Sequence, residues 1–181
     1  YRKAVHFDEG HAQAWYNLGL AYASLNQGED AIHHFEVAIK LSPSDPYFHY
    51  NLARSYMKAG RSDDAIREYQ ESIRLDPNDP YTHNNLGLAY IAVQRIEYAI
   101  QEFLKAIDLD PNDAHVHHNL GLAYAQGGRL GLAMNEFQSA IHLEEGNPKS
   151  HFELGKVYSR LGNFTSANKE YQKAIELDQN M

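Results

Sequence analysis

The sequence predicts an all-α solenoid built from antiparallel helix pairs, and three observations predict it. The stretch YNLGLAY beginning at Tyr16 returns in variant form at Tyr50, Asn84, His118 and Phe152, a strict 34-residue period without insertions. Each period contains two apolar stripes at helical spacing. Prolines and cap-forming Asp or Asn residues punctuate the joints.

With Ala12 as position 1, the repeats span residues 12–45, 46–79, 80–113, 114–147 and 148–181. Residues 1–11 fit the same frame as the later half of a unit, because Tyr1, Ala4, Val5 and Phe7 fall at positions 24, 27, 28 and 30. They read either as the remainder of a longer array or as an N-terminal cap. At the other end, Asn168 stands where earlier repeats have Ile32, Ile66, Ile100 or Met134. With Lys169 and Lys173 beside it, this is the polar outer face expected of a terminal repeat.

The first helix of each repeat, helix A, carries its packing stripe at positions 4, 7, 8 and 11, as in Trp15, Leu18, Gly19 and Tyr22. Helix B repeats the pattern at positions 20, 24, 27 and 28, as in Ala31, Phe35, Ala38 and Ile39. Position 8 is Gly or Ala (Gly19, Ala53, Gly87, Gly121, Gly155). A mid-helix Gly costs about 1 kcal/mol relative to Ala, so close approach of helix B, whose position 20 is always Ala, is expected to offset it. Asp45, Asp79 and Asn147 precede Pro46, Pro80 and Pro148, which places a cap and a first-turn proline at three helix A starts. Pro43, Pro77 and Pro111 stop helix B. Turns as short as NQGED and QGGRLG then force neighbouring helices to run antiparallel.

Trp15, Leu18, Gly19, Tyr22, Ala31, Phe35, Ala38 and Pro43 resemble the signature of the tetratricopeptide repeat (TPR), and most of its positions recur in all five units. The departures are His49, His83, His117 and His151 in place of Trp15, Ser72 in place of an Ala, and Glu145 and Gln179 in place of Pro. The resemblance implies a right-handed TPR superhelix whose concave wall is made by helix A.

Positions 2, 5, 6, 9, 12 and 13 form a second stripe on helix A, rotated roughly 200° from the packing stripe. In repeats 1, 3 and 4 none of these eighteen residues carries a fixed charge. In so acidic a chain, an uncharged face reads as one kept for a partner. The candidate peptide-binding residues are Asn17, Asn51, Asn85 and Asn119 as a ladder, with Tyr16, Tyr47, Tyr50, Tyr81, Asn84 and His118 supplying aromatic or polar contact. Leu20, Leu88 and Leu122 would floor the groove. Positive charge comes from Arg54 and Lys58, and towards the end of the array from Lys149, Lys156 and Arg160. Amides donate and accept, so a row of them at the roughly 10 Å spacing of packed helices matches about three residues of an extended backbone. Packing between helices is the competing reading of the same row. Glu153 interrupts it.

The expected activity is therefore that of a non-enzymatic scaffold holding an extended or short helical segment of another protein. Self-assembly through the array ends and service as the substrate-recognition region of a larger enzyme are the alternatives, since similar asparagine rows occur in the TPR region of the O-GlcNAc transferase family. The carboxylate clamp of chaperone adaptors is not matched: Asn84, Leu88, Asn119, Lys149 and Glu153 stand where it needs Lys, Asn, Asn, Lys and Arg.

The remaining signals narrow the classes. A net charge of −8 opposes nucleic acid and anionic membranes as partners, and no run approaches a membrane span. With no cysteine there is neither a disulfide nor a thiolate metal site, and nothing assigns a compartment. No cofactor is implied. Eleven histidines invite a metal, but one per repeat is too widely spaced to share an ion, and the His115/His118 pair would bind only weakly. QGGRLG lacks the strand and the Lys-Ser/Thr of a phosphate loop. NFT at Asn163 has the form of a glycosylation acceptor in a turn.

Overall fold

A computed structural model describes residues 11–178. The half-repeat expected over residues 1–11 lies, apart from His11, outside the described residues. Those residues form ten α-helices and no strand: α1 (Ala12–Ser24), α2 (Gly28–Leu41), α3 (Pro46–Lys58), α4 (Ser62–Leu75), α5 (Pro80–Ala92), α6 (Ile96–Leu109), α7 (Ala114–Gln126), α8 (Leu130–Leu143), α9 (Pro148–Arg160) and α10 (Phe164–Asp178). Odd-numbered helices are helix A and even-numbered ones helix B. They fall into two compact units, one ending at Val93 and one beginning at Gln94. In the first, α1 pairs with α2 and α3 with α4, and α5 packs on α4; in the second, α7 pairs with α8 and α9 with α10, and α6 packs on α7.

The helix A starts at Pro46, Pro80 and Pro148 are capped as their sequences require. The Asp45 carboxylate accepts the Tyr47 N–H at 3.0 Å, Asp79 accepts those of Tyr81 and Thr82, and Asn147 accepts that of Lys149 at 3.1 Å. Helix B starts at Gly28, Ser62, Ile96 and Leu130 have no side-chain cap; acidic residues such as Glu29, Asp30, Asp63, Asp64 and Glu97 instead face the positive end of the helix dipole. The turn from A to B needs one left-handed residue at position 15. Gly60, Gly128 and Gly162 supply it at φ of 73°, 75° and 79°, whereas Asn26 and Gln94 adopt it at 58° and 59° with a side chain in place.

Packing explains the small residue inside helix A, with a correction to the residue that does it. A Cβ on Gly19 would stand 2.6 Å from the Phe35 ring, one on Gly121 2.7 Å from Phe137, and one on Gly155 2.6 Å from Tyr171. The aromatic ring at position 24, rather than the Ala at position 20, fills the space that glycine leaves. Phe35 and Phe137 are completely buried there. The buried stripe of helix A is also broader than expected, taking in position 3 as Ala14, Phe48, Thr82, Val116 and Ser150.

Polar bonds tie repeats together around this core. Tyr56 Oη donates to Glu36 at 2.8 Å, Gln70 Nε2 to Tyr90 Oη at 3.0 Å and Gln138 Nε2 to Tyr158 Oη at 3.3 Å, each linking the end of one helix pair to the next helix A. In the second unit Arg129 reaches both oxygens of Glu97 at 2.6 and 2.8 Å. Ser72, which interrupts the alanines of position 27, is buried and donates to the Pro46 carbonyl at 2.9 Å, so its hydroxyl is satisfied.

Two outcomes are expected in urea unfolding. Gly121→Ala gains helix propensity but must displace the buried Phe137 ring, for a net loss of about 1 kcal/mol. Gln94→Gly removes a strained backbone position and gains up to about 1 kcal/mol.

Candidate functional site

In the first unit the second stripe of α1, α3 and α5, charged only at Arg54 and Lys58, lies on the more exposed side of those helices. Tyr47 and Tyr81 are 64% and 61% exposed and Leu20 38%. Tyr16, Tyr50, Asn17, Asn84 and Leu88 are half-buried. The Tyr16 ring stacks on Phe48 with centroids 4.7 Å apart. Burial pushes the Tyr16 and Tyr50 hydroxyls above the usual phenol range, so both stay protonated. The Arg54 guanidinium sits 5.6 Å from the centre of the Tyr50 ring. Between α1 and α3 opens a cleft of about 210 Å³ lined by Leu20, Ala23, Ser24, Asn51, Arg54 and Lys58.

The asparagine ladder has a second occupation. Asn51 Nδ2 donates to Tyr16 Oη at 2.9 Å and to the Tyr47 carbonyl at 2.9 Å. Asn85 repeats the arrangement with Tyr50 Oη at 3.1 Å and the Tyr81 carbonyl at 2.8 Å. Both amide hydrogens are therefore spent within the unit, each joining a helix A to the one before it, and the carboxamide oxygen is the part left to accept. Asn17 accepts from Gln13 at 3.3 Å.

The second unit differs in chemistry. Asn119 and Leu122 are half-buried, His115 is exposed, and His118 Nδ1 lies 2.9 Å from Ser150 Oγ. Burial pulls the His118 pKa down, opposed by the nearby Glu153 carboxylate. Where Tyr16 or Tyr50 precedes, an amide follows that donates to the phenol; where His118 precedes, the following residue is Glu153. Glu153 also holds Lys156 Nζ at 2.8 and 2.9 Å, and Arg160 donates to the Ala125 carbonyl at 2.8 Å. Lys149 is exposed, and its ammonium has no carboxylate partner among the described residues.

A cavity of about 630 Å³ opens beside these residues, lined by His118, Leu122, Pro148, Lys149, Phe152, Glu153, Tyr171, Ala174, Ile175 and Asp178. Phe152 and Ile175 are 49% and 56% exposed. The helix A stripe alone does not reveal it, because Tyr171, Ala174, Ile175 and Asp178 belong to α10. Position 28 is Ile in all five repeats, so the sequence does not mark it; Ile39, Ile73, Ile107 and Ile141 are half-buried but Ile175 is exposed. Among the described residues no helix is long and apolar enough to cross a membrane.

Comparison with known proteins places this geometry. Among solved structures the chain is similar to MamA from Desulfovibrio magneticus RS-1 (TM-score 0.89, 20% identity, covering 94% of this chain and 96% of that one). It is also similar to YrrB, described as a TPR protein with an unusual peptide-binding site (TM-score 0.82, 20% identity, 97% and 91%). A third similar structure is PilF of Pseudomonas aeruginosa (TM-score 0.81, 25% identity, 93% and 77%). No curated protein matches the sequence. The family model described as TPR repeat matches residues 53–94, 89–128 and 122–162. Models described as tetratricopeptide repeat match residues 12–45, 34–67 and 148–181. These models cover most of the chain, and those over 12–45 and 148–181 coincide with the pairs α1/α2 and α9/α10, so the chain belongs to the tetratricopeptide repeat family.

Proposed function

We propose that this protein is a non-catalytic adaptor that holds a peptide segment of another protein against the exposed stripe of its A helices. The observation that carries this reading is the set of solvent-facing apolar side chains, Leu20, Tyr47 and Tyr81, on a face without fixed charge apart from Arg54 and Lys58. Tyrosines of this kind offer a large rigid contact area with a polar tip, at a small cost in side-chain entropy. The oxygens of Asn51 and Asn85 suit a peptide backbone, whose N–H groups need acceptors once they leave water. The cavity beside Phe152 and Ile175 suits a bulky apolar side chain, and the unpaired Lys149 suits a carboxylate next to it. The similarity to a peptide-binding TPR protein lends support to the class of ligand, not to its sequence.

Peptides selected from a random library on the immobilised protein test this directly. Their binding should shift the NMR signals of Leu20, Tyr47, Asn51, Tyr81 and Asn85; shifts confined to helix B outer positions such as His33, Arg67 and Gln101 would overturn the reading. Replacing Tyr47 and Tyr81 together with Ala is expected to weaken those peptides at least about tenfold while changing stability by less than about 0.5 kcal/mol, since both rings are exposed. Asn51→Ala and Asn85→Ala should instead lower the melting temperature as well as binding, because each removes two internal bonds and costs about 1 kcal/mol.

A further inference from the structure

One motif is left unused by the peptide reading. Positions 4 and 23 vary in concert: Trp15 accompanies His34, whereas His49 accompanies Glu68, His83 Glu102, His117 Glu136 and His151 Glu170. In repeat 1 the pair is aromatic, with the Trp15 and His34 rings edge to face at 5.3 Å. In the others it is polar, and the distance does not vary: Nδ1 of His49, His117 and His151 each lies 2.7 Å from its glutamate. The other ring nitrogen faces a backbone carbonyl, Pro43 at 3.0 Å for His49 and Pro111 at 3.2 Å for His117. His83 meets the Pro77 carbonyl in the same way at 3.1 Å.

Carboxylate and carbonyl oxygens accept hydrogen bonds and cannot donate them. A neutral imidazole has a single N–H, so with an acceptor on each side one contact would bring two lone pairs together. Both contacts are bonds only when the ring is doubly protonated. The side chains are sheltered enough for this to matter, His49 being 7% exposed and Glu68 26%.

We propose that His49 is an imidazolium clamp that makes the cohesion of its helix pair depend on pH. In its protonated form it ties α3 to Glu68 of α4 and to the Pro43 carbonyl in the turn after α2. α3 is held from two directions in mildly acidic solution and released as the solution turns alkaline.

The charged surroundings agree in sign. Burial pulls the His49 pKa down, but the bond to Glu68, the Pro43 carbonyl and the field of Glu68 and Glu71 together leave it above its ordinary value. A histidine pKa raised by folding means that folding takes up a proton. The clamp's contribution is then complete below about pH 6.5, the unfolded value, and disappears as pH rises through the folded value. His49 lies on the packing stripe of helix A, so this inference does not rest on the peptide reading.

Urea unfolding between pH 6.0 and 9.0 tests it. Each clamped proton lowers the folding equilibrium constant by up to about tenfold per pH unit between the two pKa values. The ratio of the wild-type constant to that of a His49→Gln variant, which keeps a donor but cannot titrate, is therefore expected to fall at least about threefold from pH 6.5 to 8.5. An unchanged ratio overturns the proposal. Should the variant not fold, ring ¹⁵N shifts of wild-type His49 at pH 6.5 decide. Two protonated nitrogens support the clamp and a neutral ring refutes it.

Discussion

The contact on which the rest of each repeat depends is that between an aromatic ring of helix B and the small residue at position 8 of helix A. Phe35 over Gly19, Phe137 over Gly121 and Tyr171 over Gly155 bring the two helices closer than any larger pair of residues would allow. That closeness fixes which side of helix A faces its partner helix. It thereby also fixes which side remains for solvent or a ligand. The glycine sacrifices helix propensity, and a completely buried ring such as Phe35 or Phe137 returns more through apolar burial than the propensity costs.

Around this invariant contact, neighbouring positions change together because each hydrogen-bonding group must find a complement. A phenol at position 5 is followed one repeat later by an amide that donates to it, as in Tyr16 with Asn51 and Tyr50 with Asn85. An imidazole at the same position, His118, is followed by Glu153. A histidine at position 4 faces a glutamate at position 23, and the one tryptophan faces a ring. These are local solutions to one requirement, that polar atoms withdrawn from water be paired.

The exposed stripe follows from the same geometry. Once positions 4, 7, 8 and 11 are turned inward, Tyr47, Tyr81 and Leu20 stay exposed among the described residues. The asparagines between them serve two purposes, since their N–H groups hold adjacent A helices while their oxygens stay available. Cohesion and recognition are thus properties of the same side chains, and substitutions there cannot separate the two completely. Lysine and arginine on this face are partly neutralised from within, by Glu153 for Lys156 and by the Ala125 carbonyl for Arg160.

The sequence by itself determined the helix pairs, their boundaries and the orientation of each stripe. Each of these is set by local rules that recur along the chain: proline stops, Asp and Asn caps, and apolar residues at helical spacing. The asparagine and tyrosine positions of the candidate face were legible for the same reason. What only the tertiary structure decided was which groups meet across helices. The pairing of Tyr16 with Asn51 joins residues 35 apart, that of His49 with Glu68 residues 19 apart, and the cavity lined by Phe152 and Ile175 takes its walls from three helices. Spacing along one helix reports the direction of a side chain, but the group it meets depends on the distance and rotation of the next helix, which packing alone sets.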